Sequence, residues 1–122
     1  MVQAAKAAIE NLDPEQVAKE MERGAVVVDL REPAERRQNG AIPGAIHATR
    51  GMLEFHADPA APYHIPALQP NKRTVLYCAS GGRSALGVRA LKDLGYTNVA
   101  HLDGGFKAWA GAGKPVEEVK EP

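Results

Sequence analysis

Cys78 is the only cysteine among 122 residues, and its neighbours are the residues whose types and order could do chemistry: Tyr77-Cys78-Ala79-Ser80-Gly81-Gly82-Arg83-Ser84-Ala85-Leu86. The cysteine ends an apolar run, enters a glycine-containing loop, and the loop runs into a helical segment. Gly81 and Gly82 allow backbone conformations closed to other residues, so successive N–H groups can converge on one point. The helix that follows adds its own unpaired N–H groups and the positive end of its dipole. Arg83 adds a full charge and several donors. Together these residues make a small bowl that favours an anion. The same field favours Cys78 as a thiolate, the nucleophilic form of the side chain. No histidine or acid lies within the loop, so electrostatics is the expected source of activation.

A cysteine in an anion bowl suggests two chemistries. In one, the thiolate attacks phosphorus in a phosphate ester. In the other, it attacks a sulfane sulfur and keeps it as a persulfide. Loop length separates them: protein tyrosine phosphatases place one residue more between Cys and Arg, because their loop must wrap a tetrahedral phosphoryl group. Here only Ala79 to Gly82 intervene, and the smaller ring suits a single extra sulfur atom.

The elements that must position this loop can be read from the pattern. Asp13-Pro14-Glu15-Gln16 starts a helix with a cap, an N-terminal proline and a capping-box spacing, and Gly24 ends it. Ala25–Leu30 is a short β-branched run of the kind buried on both faces of a parallel sheet. Glu32-Pro33 through Asn39 suits a short helix, and Ala45-Ile46 a short strand. Residues 57–72 hold four prolines, which predicts loop. Thr74–Tyr77 is the strand that delivers Cys78. Ser84 opens an amphipathic helix with Leu86, Ala90, Leu91 and Leu94 as its apolar residues, closed by Gly95. Val99–Leu102 is a further strand, and Phe106–Ala110 a last short helix. From Gly111 onward a charged tail is expected to fray. Strands alternating with helices predict an α/β domain with a mainly parallel sheet and helices on both faces. Ligands of such sheets gather at the carboxyl ends of the strands, where Cys78 stands.

Three ordered segments carry a family resemblance. Val28-Asp29-Leu30-Arg31-Glu32 with Glu35 and Gly40-Ala41-Ile42-Pro43-Gly44-Ala45-Ile46 is the first. The Cys78–Arg83 loop followed by Ser84 is the second, and His101-Leu102-Asp103-Gly104-Gly105-Phe106 with Ala108-Trp109 the third. Across Ile9 to Trp109 the chain resembles a single-domain rhodanese. The resemblance implies a five-stranded parallel sheet, with one domain over residues 1–122 and its core at about 9–110. It implies that Cys78 takes a sulfane sulfur from thiosulfate or a related anionic donor, releases sulfite, and passes the sulfur to cyanide, a small thiol or a protein thiol. No metal or organic cofactor is implied. Arg36 stands where the family usually has an aromatic, and Ala41 where a histidine is frequent. Another reading is a binding or sulfur-delivery module of the same fold without independent turnover.

In this reading Cys78 is the nucleophile, and Ala79, Ser80, Gly81, Gly82, Arg83 and Ser84 bind the donor. Asp29 and Arg31, two positions apart at a strand end, point the same way. Their expected role is a hydrogen-bonded ion pair that supports the loops; direct contact with substrate is the alternative. His101 is read as a packing or hydrogen-bonding residue, and His47, His56 and His64 as structural. Arg50 is a further candidate anion contact. Segment 49–72 is the candidate for acceptor choice.

Composition narrows the class. Apolar residues are 44% and charged residues 25%, which suits a globular chain and argues against disorder. Fifteen Lys+Arg balance fifteen Asp+Glu, without the basic excess of a dedicated nucleic-acid binder. One cysteine excludes an intrachain disulfide and a zinc site of several thiolates. The apolar runs fall far short of the roughly 20 residues of a membrane span, and no signal-peptide pattern opens the sequence. A cytoplasmic protein without membrane or nucleic-acid partners is expected.

Overall fold

The computed structural model describes residues 1–120. Helix α1 (Val2–Ala7) leads into strand β1 (Glu10–Leu12), followed by α2 (Pro14–Glu22), β2 (Val26–Asp29), α3 (Pro33–Asn39) and β3 (Ile46–His47). A 3₁₀ turn at Arg50–Met52 runs into α4 (Leu53–Ala57); β4 (Thr74–Tyr77), α5 (Gly82–Asp93), β5 (Val99–Leu102) and α6 (Gly105–Gly111) complete the order. The strands form one sheet in the order β1-β5-β4-β2-β3 with every pairing parallel. All carboxyl ends therefore lie along one edge, and β4, buried throughout, delivers Cys78 to its middle.

The β-branched runs build two apolar layers because neighbouring strand residues face opposite ways. Val28, Leu76 and Val99 pack with Leu53, Val88 and Leu91 on the side of α4 and α5. Val27, Val75 and Ala100 pack with Val17, Phe106 and Trp109 on the side of α2 and α6. Helix α2 begins as its sequence dictates. The Asp13 N–H donates to Gln16 Oε1 and the Gln16 N–H to Asp13 Oδ1, both at 2.8 Å.

The fold departs from the sequence reading in four places. Strand β1 has no apolar run, because it is an edge strand that buries only Leu12. Helices α1 and α4 are too short for a periodic signal. Helix α5 turns Ala85, Val88 and Leu91 inward and leaves Leu94 exposed, so its buried stripe is not the one its leucines suggest. The tail from Gly111, expected to fray, is tied down as far as Glu117. Trp109 Nε1 donates to the Pro115 carbonyl at 2.7 Å, and Ala41 and Glu117 exchange two backbone hydrogen bonds at 2.9 Å. Among the described residues no helix is long and apolar enough to cross a membrane.

Candidate active site

Cys78 is 1% exposed, on the floor of a cup made by its own loop. The Gly81 N–H donates to its sulfur at 3.2 Å and the Ser84 N–H at 3.4 Å. The Ser84 hydroxyl lies 3.6 Å away. Gly81 makes this convergence possible: its φ of +113° turns the chain into α5 in the left-handed region that side chains avoid. Gly82, by contrast, is an ordinary first residue of the helix. Burial by itself pushes the thiol pKa up. The Ser84 hydroxyl and the N–H groups of Ser84, Gly81 and Ser80 more than offset this and set it below the ordinary value. The structure thus brings Ser80, Gly81 and Ser84 onto the sulfur. Ala79 and Gly82 complete the ring without bonding to it.

Helix α6 clamps the start of the loop from below. The N–H groups of Phe106 and Lys107, in its first turn, donate to the carbonyls of Cys78 and Ala79 at 2.8 and 3.1 Å. Gly105 sits against these carbonyls at φ +64°, where a Cβ would lie 2.6 Å from the Cys78 and Ala79 backbone.

Arg83 is not a bare cation. Its two terminal nitrogens donate to the two Glu35 oxygens at 2.7 and 2.9 Å, with about a third of each side chain exposed. This fork holds the Glu35 carboxyl down at about 2. Arg83 also feels the Cys78 charge. Glu35 carried no assigned role in the sequence, because nothing in a pattern shows that α3 crosses over the loop.

Asp29 and Arg31 are buried directly behind the cup. Arg31 Nε and Nη2 donate to the Asp29 carboxylate at 3.0 and 2.8 Å, and the Arg31 N–H adds a third bond at 2.9 Å. Arg36 Nε and the Tyr77 hydroxyl donate to the same carboxylate at 3.0 and 2.8 Å. Arg36 thus supplies a second cation to this carboxylate. Arg31 also donates to the Gly40 carbonyl and lies 4.3 Å over the Phe106 ring. With Glu35, Asn39, Ala79, Phe106 and Lys107, it lines a cavity of about 320 Å³ between α3 and α6, beside the loop.

The remaining candidates lie elsewhere. Arg50 is paired with Glu54 at 2.9 Å. His47, His56 and His64 hydrogen-bond to the carbonyls of Arg31, Tyr63 and Leu68. His101 is different: its Nδ1 lies 2.8 Å from the Ser84 hydroxyl, one residue removed from the sulfur.

Residues 13–112 match the family model of the rhodanese-like domain. The chain belongs to the rhodanese-like family. It is 38% identical over 91 residues to a sulfurtransferase of Allochromatium vinosum, covering 75% of this chain and 77% of that one. It is 34% identical over 101 residues to thiosulfate sulfurtransferase GlpE of Pseudomonas entomophila, covering 80% of this chain and 82% of that one. A solved structure from Rhodopseudomonas palustris, described as a protein of unknown function and possible tyrosine phosphatase, superposes with a TM-score of 0.88. It is 44% identical and covers 95% of this chain and 90% of its own. Strands β2 to β5 and the Cys78 loop lie within the matched region, and β1 lies just before it.

Proposed function

We propose that this protein is a sulfurtransferase that carries a sulfane sulfur as a persulfide on Cys78. The observation that carries this reading is the aim of the Gly81 and Ser84 N–H groups at the Cys78 sulfur, at 3.2 and 3.4 Å, in a cup that leaves the residue 1% exposed. The thiolate attacks the outer sulfur of thiosulfate or a similar anion, the S–S bond breaks, and sulfite leaves with the bonding pair. The terminal sulfur of the persulfide inherits the negative charge, and the converging amides of Ser80, Gly81 and Ser84 stabilise it. Attack by cyanide, a small thiol or a protein thiol then removes that sulfur and regenerates the thiolate. Ala79 and Gly82 shape the ring, and the Asp29–Arg31 pair holds it from behind. The lone thiol suits a reducing, cytoplasmic setting.

Names among the relatives favour this reading over the phosphatase description of the Rhodopseudomonas palustris structure. The loop geometry favours it independently, since a closed six-residue cup suits one added sulfur better than a phosphoryl group with three equatorial oxygens. Incubation with thiosulfate followed by intact mass should show a species heavier by one sulfur, absent from Cys78→Ala. No such species, or one that persists in Cys78→Ala, overturns the assignment. Turnover with thiosulfate and cyanide separates an enzyme from a sulfur-delivery module. Cys78-dependent hydrolysis of an aryl phosphate would favour the phosphatase.

The Arg83–Glu35 fork gives a second prediction. Arg83→Ala should lower kcat/KM for thiosulfate by about tenfold or more, with much less effect on a neutral donor, because the lost contribution is steering of an anion. Glu35→Gln should act in the opposite direction and raise thiosulfate use a few-fold, since it frees the guanidinium and removes a negative charge beside the cup. Equal losses on charged and neutral donors in Arg83→Ala would remove the steering role.

A further inference from the structure

Behind the sulfur runs a chain of hydrogen bonds that sulfur transfer by itself does not use. It begins on β1. The Asn11 amide nitrogen donates to the carbonyls of Lys6 and Ile9 at 2.9 and 3.1 Å, so its oxygen, which can only accept, faces outward along the sheet. Asn11 and His101 are register partners in the β1–β5 pairing, and Asn11 Oδ1 lies 2.7 Å from His101 Nε2. Nε2 must therefore carry a proton. In the neutral ring this leaves Nδ1 as a bare lone pair, 2.8 Å from the Ser84 hydroxyl. The hydroxyl has one proton, and His101 is a nearer acceptor for it than the Gly81 carbonyl at 3.3 Å. With that proton committed, the Ser84 oxygen can receive the Cys78 thiol proton across 3.6 Å.

The order of donors has a consequence for ionisation. The Ser84 hydroxyl can stabilise a thiolate only by turning its proton toward the sulfur. A neutral His101 would then face the Ser84 oxygen lone pair to lone pair, fully buried and without a donor, an arrangement costlier than a hydrogen bond never formed. A His101 protonated on both nitrogens removes the conflict: Nδ1–H donates to Ser84, Ser84 donates to sulfur, and Nε2–H keeps Asn11.

We propose that Ser84 and His101 form a proton relay that takes the Cys78 thiol proton into the protein, with Asn11 fixing the receiving tautomer. The S–H bond breaks as a proton passes to the Ser84 oxygen, and the proton Ser84 held passes to His101 Nδ1. The product is a thiolate and an imidazolium bridged by a neutral hydroxyl, with no net change of charge. The inference rests on Cys78 being the nucleophile. His101 reaches the sulfur only through Ser84 and is a positioning residue for its proton. The charged groups facing the ring are Asp103, just after β5, which favours the imidazolium, and Lys6 of α1, which opposes it and pairs with Asp103 at 3.0 Å. Arg83, the nearest cation on α5, is turned to Glu35. Burial holds the ring below the ordinary imidazole range, so the resting ring is neutral with Nδ1 open, and it is the thiolate formed across Ser84, together with Asp103, that offsets this cost in the imidazolium.

The test is the pH profile of Cys78 alkylation by iodoacetamide, which needs the thiolate and no sulfur donor. His101→Gln and Ser84→Ala should each raise the apparent thiol pKa by about one unit and slow alkylation at pH 7 by about tenfold. The double variant should lose no more than either single one, because each cuts the same wire. Ser84→Thr keeps the hydroxyl and should restore the wild-type profile. In wild-type protein the His101 ring resonances should follow the thiol titration, and Cys78→Ala should lower the His101 midpoint by removing the thiolate partner. An unchanged alkylation profile in His101→Gln, multiplicative losses in the double variant, or a His101 midpoint indifferent to Cys78→Ala overturns the relay. Because the probe is not a sulfur donor, these outcomes stand apart from success or failure with thiosulfate.

Discussion

Asp29→Asn is expected to destabilise the fold by about 3–5 kcal/mol, the range for removing one partner of a buried charge cluster. The substitution keeps the side chain's shape, so the loss isolates the charge. Asp29 is fully buried and pairs with Arg31, itself 1% exposed, and with the half-buried Arg36. Asparagine leaves both guanidinium groups in place and removes the carboxylate to which both donate. A urea titration should show a lower midpoint at an unchanged slope, which marks lost stability without a change in the surface exposed. The pH dependence supplies the sign. Burial pushes the Asp29 carboxyl up, but the Arg31 side chain and N–H outweigh it and hold the folded pKa below the unfolded value of about 3.8. The charge contribution is therefore complete above about 3.8 and disappears as pH falls through the folded value. Wild type and Asp29→Asn should converge in strong acid. A variant as stable as wild type at pH 7 would mean that the cluster does not hold the strand ends behind the cup.

Gly105→Ala is expected to slow sulfur loading of Cys78 by about a hundredfold, the scale of a displacement near 1 Å at a reacting centre. The added methyl would sit 2.6 Å from the carbonyl oxygens of Cys78 and Ala79, and backbone atoms cannot rotate away as a side chain can. Those carbonyls are also the acceptors for the Phe106 and Lys107 N–H groups, so the strain breaks the clamp and turns the loop amides off the sulfur. Gly113→Ala is the control. Its φ of +74° carries the same left-handed cost, about 1–2 kcal/mol, but nothing lies within 4 Å of the new methyl. It should lose stability and keep the loading rate. Equal loading rates in the two variants would show that Gly105 serves the fold and not the cup.

Much of this molecule was legible because the controlling physics is local. The Asp13–Gln16 capping box, the β-branched runs at Val26–Val28 and Thr74–Leu76, and the glycine at Gly81 each state their conformation within a few residues. The order of loop residues between Cys78 and Ser84 likewise states that amides converge on the sulfur, while the fold decides that Gly81 and Ser84 are among those that do and Ala79 and Gly82 are not. Other features depend on which strand lies beside which, and no pattern reports that. Strand β1 is polar and short, and it exists because β5 offers it a free edge. Only that register places Asn11 against His101. Only the crossing of α3 over the loop turns Arg83 from a free cation into one arm of a fork with Glu35. The tail, charged and glycine-rich in sequence, is held because Ala41 and the Trp109 indole present partners to it.

The sequence alone therefore placed Cys78 at the head of an anion-seeking loop, since the two are built from consecutive residues whose geometry is set by the bonds between them. The tertiary structure decided which charges remain available and where a thiol proton can go. Those depend on Glu35, Asp29, His101 and Asn11, residues distant along the chain whose hydrogen-bonding groups must find partners once water is excluded.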